Sequence, residues 1–121
     1  MIPTDPAYLV GTGGAIGAVL RYLVATLVVR LEGPTAFPTA TLVVNVVGSF
    51  VLGVVVFGGT AEGAALLVGV GVCGAFTTYS SFSVQTVRLW EDGKLGYAVA
   101  NAVGNIALSA AAVGLAWLLV G

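Results

Sequence analysis

Charge is nearly missing from this sequence: of 121 residues, four are Lys or Arg, five are Asp or Glu and none is His, 7% charged in all. A soluble domain carries about a quarter charged residues, and a surface this poor in charge cannot stay hydrated and free of large apolar patches. A water-soluble fold is thereby excluded. The lack of histidine, with Cys73 as the lone cysteine, excludes an intrachain disulfide framework and any His/Cys metal cluster. It also removes the commonest general base and most nucleophile–base pairs, so the sequence does not read as an enzyme. Net charge is −1 and no basic run occurs, so no nucleic-acid partner is expected. The first apolar stretch has no basic segment before it and is too long for the core of a secretory leader, so a cleaved signal is not expected.

What the chain does have is hydrophobic residues, 59% of the total, and a mean hydropathy of +1.10. They fall into four stretches, which predict an all-α integral membrane fold with helices at about 7–30, 38–57, 64–90 and 95–120, forming one membrane domain over 1–121. Each is long enough to cross a hydrocarbon core of roughly 30 Å, so the lipid bilayer is the expected surroundings. Gly, Pro and charge mark the breaks, at Arg30-Leu31-Glu32-Gly33-Pro34, Gly58 to Gly63 and Glu91-Asp92-Gly93-Lys94. Breaks this short imply antiparallel neighbours in an up-down bundle. The 18 glycines read as packing surfaces, because small residues let helix backbones approach in lipid. Gly13/Gly17 and Ala100/Gly104 have the spacing for this, although a glycine-rich chain also produces such pairs by chance.

The third stretch departs from plain membrane helix. After Val72 come Gly74-Ala75-Phe76-Thr77-Thr78-Tyr79-Ser80-Ser81-Phe82-Ser83, a density of hydroxyls that lipid does not tolerate unless they face protein, water or an ion. An interruption near Gly74–Thr78, with carbonyls left free to coordinate, fits this pattern. A continuous helix whose Ser and Thr bond back to their own backbone is the alternative.

All five carboxylates (Asp5, Glu32, Glu62, Glu91 and Asp92) lie at the ends of stretches or between them. A proton-coupled exporter needs an ionisable acid inside the membrane, and here there is none. Uncharged polar residues hold the interior positions instead. Asn45 sits midway along the second stretch with Thr41 one turn before it, and Tyr97, Asn101, Asn105 and Ser109 recur every four residues along the fourth. Such a stripe serves either as interhelical glue or as the wall of a polar pathway. Arg21, within the first stretch, must face a cavity, a partner or the interface; attracting anions and capping the carbonyls of a broken helix are both open to it. Tyr79 and Phe82 share a helical face. Their ring edges carry the positive part of the aromatic quadrupole, which suits an anion path without a fixed charge, though aromatic pairs also serve as ordinary packing.

These segments together resemble the Fluc/CrcB family of fluoride channels. The resemblance is carried by Gly13-Gly14-x-x-Gly17-Ala18-x-x-Arg21-Tyr22, by Val44-Asn45-x-x-Gly48-Ser49-Phe50, by Gly74 to Ser83 and by the spaced polar residues of the fourth stretch. It implies a passive fluoride channel that relieves fluoride toxicity at the cell membrane, built as an antiparallel dimer. It also implies that Asn45, Tyr79, Ser81 and Phe82 line the pore, with Thr41 near it and Tyr97, Asn101 and Asn105 as its polar track. A structural sodium ion, not transported, would be held by backbone carbonyls of Gly74 and Thr77. The chain departs from the family pattern at Tyr79, where Phe is usual, and at Ala40, where Gly is usual. Gln85 stands where an acid is often found, and Asn101 and Asn105 where hydroxyl residues often stand.

The first and third breaks hold Arg30, Arg88 and Lys94, whereas the termini and the second break hold no Lys or Arg. The positive-inside rule places the former in the cytoplasm. A chain inserting in both orientations would carry a more even balance, so two partners remain open: a second copy in an antiparallel homodimer, or an oppositely oriented paralogue in a heterodimer. A small multidrug-type transporter and a non-transporting membrane subunit are the competing functional readings.

Overall fold

Asp5 starts the first helix. Its Oδ1 accepts the Ala7 N–H at 2.9 Å, and Pro6, with no N–H of its own to satisfy, takes the first helical position. In the computed structural model, which describes residues 5–121, four helical spans follow: α1 (Pro6–Glu32), α2 (Thr39–Phe57), α3 (Glu62–Glu91) and α4 (Leu95–Val120). All four are long and apolar enough to cross a bilayer, and the protein is a multi-pass membrane protein. Their ends lie within about two residues of those read from the sequence, the usual fraying of helix ends. Gly33 closes α1 at φ 78°, its N–H bonded to the Val29 carbonyl at 2.9 Å. That left-handed geometry costs a side chain dearly but not glycine.

α3 is not one regular helix. A turn at Glu62–Ala64 leads into Ala65–Cys73, wound as a π-helix, and then into a last turn at Gly74–Phe76. Thr77 leaves the helix with φ −80° and ψ 162°, and winding resumes at Ser80–Glu91. The interruption therefore covers residues 77–79, at the C-terminal end of the expected window. The π-winding has no counterpart in the sequence reading, since a run of Ala, Leu, Val and Gly has no periodicity that separates i+5 from i+4 pairing.

The turns between spans are too short to recross a membrane, so consecutive helices are antiparallel, as expected from the sequence. The main packing, however, joins alternate and therefore parallel helices: α1 against the first half of α3, and α2 against α4. The second half of α3 leans on α4. Missing side chains explain the first pairing. A Cβ on Gly13 would fall on the Leu67 carbonyl and 2.9 Å from the Gly71 Cα; one on Gly17 would meet the Val72 carbonyl and, at 3.1 Å, the Ala75 Cβ. Ala100 and Gly104 do not share this role, because Ala100 is exposed and a Cβ on Gly104 would meet only Leu42 Cδ1, at 3.9 Å. The outer faces carry large exposed apolar residues, among them Leu23, Leu27, Ile106 and Leu118, as a lipid-facing surface requires.

Candidate functional site

Breaking α3 frees backbone groups that an unbroken helix would pair, and side chains take them up. Asn45, on α2, closes on Thr78 with two bonds: its Oδ1 accepts the Thr78 N–H at 2.7 Å, and its Nδ2 donates to the Thr78 carbonyl at 3.0 Å. In an α-helix that N–H would have gone to the Gly74 carbonyl. The Ser81 N–H, which would have gone to Thr77, is donated to Thr78 Oγ1 at 3.2 Å. The carbonyls of Gly74 and Thr77 thus lose their helical donors together. The Arg21 Nη1 reaches the Thr77 carbonyl at 3.5 Å, a long contact.

The other N–H of Asn45 donates to Asn105 Oδ1 at 2.9 Å. Asn105 Nδ2 donates to the Asn101 backbone carbonyl at 2.8 Å and to Asn101 Oδ1 at 2.9 Å. Asn101 Nδ2 donates to Thr86 Oγ1 at 2.8 Å, and Thr86 donates in turn to the Phe82 carbonyl at 2.7 Å. Among the described residues, no buried side-chain polar atom lacks a partner. Three of the four residues of the expected fourth-helix stripe divide by environment: Asn101 and Asn105 are buried, whereas Tyr97 is about half exposed, at 47%.

An open groove of about 910 Å³ runs beside this network, lined by Asn45, Thr78, Tyr79, Phe82, Asn105 and Ser109 together with apolar residues of α2 and the first half of α3. The Tyr79 and Phe82 ring centroids lie 5.9 Å apart and tilted by 53°. Four of the residues expected to line a path (Asn45, Tyr79, Phe82 and Asn105) therefore share one wall. Gly74 and Thr77 border the same groove. Arg21, Thr41, Ser81 and Gln85 line a second cavity, of about 420 Å³. Thr78 borders both cavities, so the Asn45–Thr78 clamp lies at their partition. Thr41 Oγ1 donates to Gln85 Oε1 at 2.7 Å. Both residues also line a third cavity, which reaches the turn at 33–38.

Asn101 lines neither the groove nor the second cavity and acts as glue between α4 and the second half of α3. Tyr97 also stands apart, its ring edge-on to Phe37 at 5.7 Å and 80°. Its place is to hold the 33–38 turn against α4. Tyr97→Phe, which keeps that ring contact, is expected to melt like the wild type in detergent, whereas loss of the ring edge in Tyr97→Ala forfeits about 1 kcal/mol of aromatic contact. No carboxylate reaches either cavity. Among the described residues, no three His, Cys, Asp or Glu side chains gather where they could hold a metal; the oxygens at the break are backbone carbonyls and the hydroxyls of Thr77, Thr78 and Ser80.

The model of one family, the CrcB-like proteins (CrcB-like protein, Camphor Resistance), matches residues 8–117, from α1 nearly to the end of α4. The chain belongs to this CrcB family. Among curated relatives, the fluoride-specific ion channel FluC 2 of Haloarcula marismortui is 52% identical over 120 residues, 99% of this chain and 98% of the relative. FluC 1 of Halobacterium salinarum is 50% identical over 115 residues, 95% and 93% of the two chains, and FluC of Agrobacterium fabrum is 47% identical over 111 residues, 87% of each. As a CrcB member, the chain carries groups that the sequence reading had not placed in the site. Thr78 is the hub of the break, and Thr86 ends the amide chain. Only the hydroxyl-rich run around Thr78 hinted at the former; nothing in the sequence singled out a lone Thr86 four residues past Phe82.

Proposed function

We propose that this CrcB protein is a passive, fluoride-selective channel of the cell membrane that lets fluoride leave down its gradient, and that it performs no covalent chemistry. One convergence carries the reading: Asn45, Asn105, Tyr79 and Phe82 face one groove that holds no carboxylate. Fluoride binds water tightly, so a path must return hydrogen bonds and positive ring edges as hydration is stripped, without a fixed charge that would trap the ion. The relatives named as fluoride-specific channels support the same reading. A multidrug-type exporter is disfavoured, because the carboxylates lie at helix ends and in turns.

Two features support a dimer. Gly74, Ser80 and Tyr79 (81% exposed) sit at the interruption with their faces uncovered, and irregular backbone at membrane depth requires protein or water beside it, since lipid offers no partners. An antiparallel second copy would cover it. The freed carbonyls of Gly74 and Thr77 are hard oxygen ligands suited to a sodium ion at such an interface. Fluoride would meet the rings of Tyr79 and Phe82 on the groove side of the partition and the hydroxyl of Ser81 on the other, with Thr41 beyond it. Asn45, whose two N–H groups are donated within the protein, would bond the ion by exchanging one of them.

The test is reconstitution of the chain, purified alone, in liposomes loaded with potassium fluoride, with efflux read by a fluoride electrode after a potassium ionophore is added. Fluoride efflux with chloride retained is the expected result. Efflux no faster than from empty liposomes, or equal loss of chloride, would end the proposal. Efflux only when an oppositely oriented paralogue is co-reconstituted would replace the homodimer with a heterodimer.

A further inference from the structure

The chain contains three asparagines, and all three lie in one uninterrupted relay from Thr78 to Thr86. Its direction is set at the Thr78 end. The Thr78 N–H can only donate and the Thr78 carbonyl can only accept, so the Asn45 carboxamide must turn its oxygen to the first and its nitrogen to the second. Turning it over would set oxygen against oxygen and N–H against N–H. The remaining Asn45 N–H then requires an acceptor, which is Asn105 Oδ1. That turns Asn105 Nδ2 toward the Asn101 carbonyl and Oδ1, and leaves Asn101 Nδ2 facing Thr86. Thr86 Oγ1 accepts it and sends its own proton to the Phe82 carbonyl. A valine here would keep the shape and end the series with a donor facing a methyl group.

We infer that Thr86 is a positioning residue: by accepting from Asn101 Nδ2 while donating to the Phe82 carbonyl, it holds the direction of the Asn101 amide and braces the second half of α3, which carries the Phe82 ring, against α4. The second half of α3 is held at two places. Thr78, just before it, is clamped to α2, while Thr86, within it, is tied to α4 through Asn101. Between these supports stands Phe82, whose ring faces the groove. The relay keeps the nitrogen of Asn45 toward Asn105, on the groove wall, and its oxygen toward the break. Both Asn45 N–H groups are already donated, so an anion in the groove bonds this amide only by displacing the Thr78 carbonyl or Asn105 Oδ1. Loss of Thr86 leaves Asn101 Nδ2 without its acceptor and removes this tie, while Asn105 keeps the Asn101 backbone carbonyl and Asn45 keeps both bonds to Thr78. The effect therefore reaches the groove through the placement of Phe82. The consequence for conduction rests on the fluoride reading; the coupling does not.

The test is nuclear magnetic resonance of the full chain in lipid nanodiscs with asparagine selectively ¹⁵N-labelled, together with the Thr78 backbone amide. In the wild type, all three side-chain NH₂ groups are expected to exchange slowly with solvent deuterium. Thr86→Val is expected to shift the Asn101 NH₂ signals, to leave the Asn45 NH₂ and Thr78 N–H signals in place, and to slow fluoride efflux about tenfold, the scale of one lost buried hydrogen bond with its donor left unpaired. Thr86→Ser, which keeps the hydroxyl, is expected to restore both. If Thr86→Val shifts the Asn101 signals yet leaves fluoride efflux at the wild-type rate, Thr86 does not position the groove and the inference falls. Should that variant not fold, the wild-type spectrum decides: exchange of Asn101 or Asn105 NH₂ at the rate of a free amide overturns the relay. A wild type without fluoride efflux counts against the channel reading, and the spectra still report on the relay.

Discussion

Asn45→Asp is expected to abolish fluoride efflux and to lower the melting temperature of the purified protein. The side chains have the same shape, so the effect is electronic. The Asn45 nitrogen now donates to two oxygens, Thr78 O at 3.0 Å and Asn105 Oδ1 at 2.9 Å. A carboxylate oxygen there would face both without a proton between them. Asn105 cannot relieve this by turning over, because its own oxygen would then face the Asn101 carbonyl and Oδ1. A partly buried charge with no partner costs about 3–5 kcal/mol, and it would also stand on the wall of the proposed anion path and repel the ion. Asn45→Ser separates the two contributions: it loses the clamp without gaining charge, so it is expected to melt early yet retain some efflux. An Asn45→Asp channel that conducts like the wild type would remove Asn45 from the path.

The second large effect is expected at Gly13, where one methyl group decides whether α1 and α3 can touch. Gly13→Ala places its Cβ on the Leu67 carbonyl and 2.9 Å from the Gly71 Cα. These are backbone atoms that no rotamer change can move aside. Overpacking of this kind costs about 1–3 kcal/mol, and two parallel helices would have to separate to absorb it. Gly11, two residues earlier on α1, has nothing within 4 Å of its Cβ position. Gly11→Ala is therefore expected to be neutral, or slightly stabilising by the helix preference of about 1 kcal/mol of Ala over Gly. Thermal unfolding in detergent, followed by size exclusion, compares the pair. Equal melting of the two variants would show that the backbone contact at Gly13 contributes nothing.

Much of this arrangement was legible from residue types. Hydropathy located four spans because lipid imposes a length on each, and Gly33 and Gly93 ended two of them as turn glycines do. The interruption was legible as one of two readings of the hydroxyls at residues 77–83, the other being a continuous helix with Ser and Thr bonded back to it, as Thr77 and Ser83 in fact are. The convergence of Asn45, Tyr79, Phe82 and Asn105 was anticipated as a pattern, but their partners were not. A spacing of four places Tyr97, Asn101 and Asn105 on one face of α4. It does not say that Asn101 is sealed against Thr86, or that Tyr97 lies beyond the groove against Phe37. Those outcomes depend on how far the second half of α3 tilts after the break, a tertiary matter. Likewise, Gly13 and Gly17 could be told from Ala100 and Gly104 only by which faces came together. The π-winding of residues 65–73 left no trace in composition.

The amide relay bears on a different ion. A row of hydroxyls or waters can pass a proton along by each member taking one hydrogen and releasing another. A carboxamide cannot do so without becoming an imidic acid, a tautomer of much higher energy. Linked side by side, with their N–H groups donated to one another and to neighbouring oxygens, Asn45, Asn105 and Asn101 do not act as a wire for H⁺. A cell could then open such a path to a small anion without shorting the proton gradient across the same membrane.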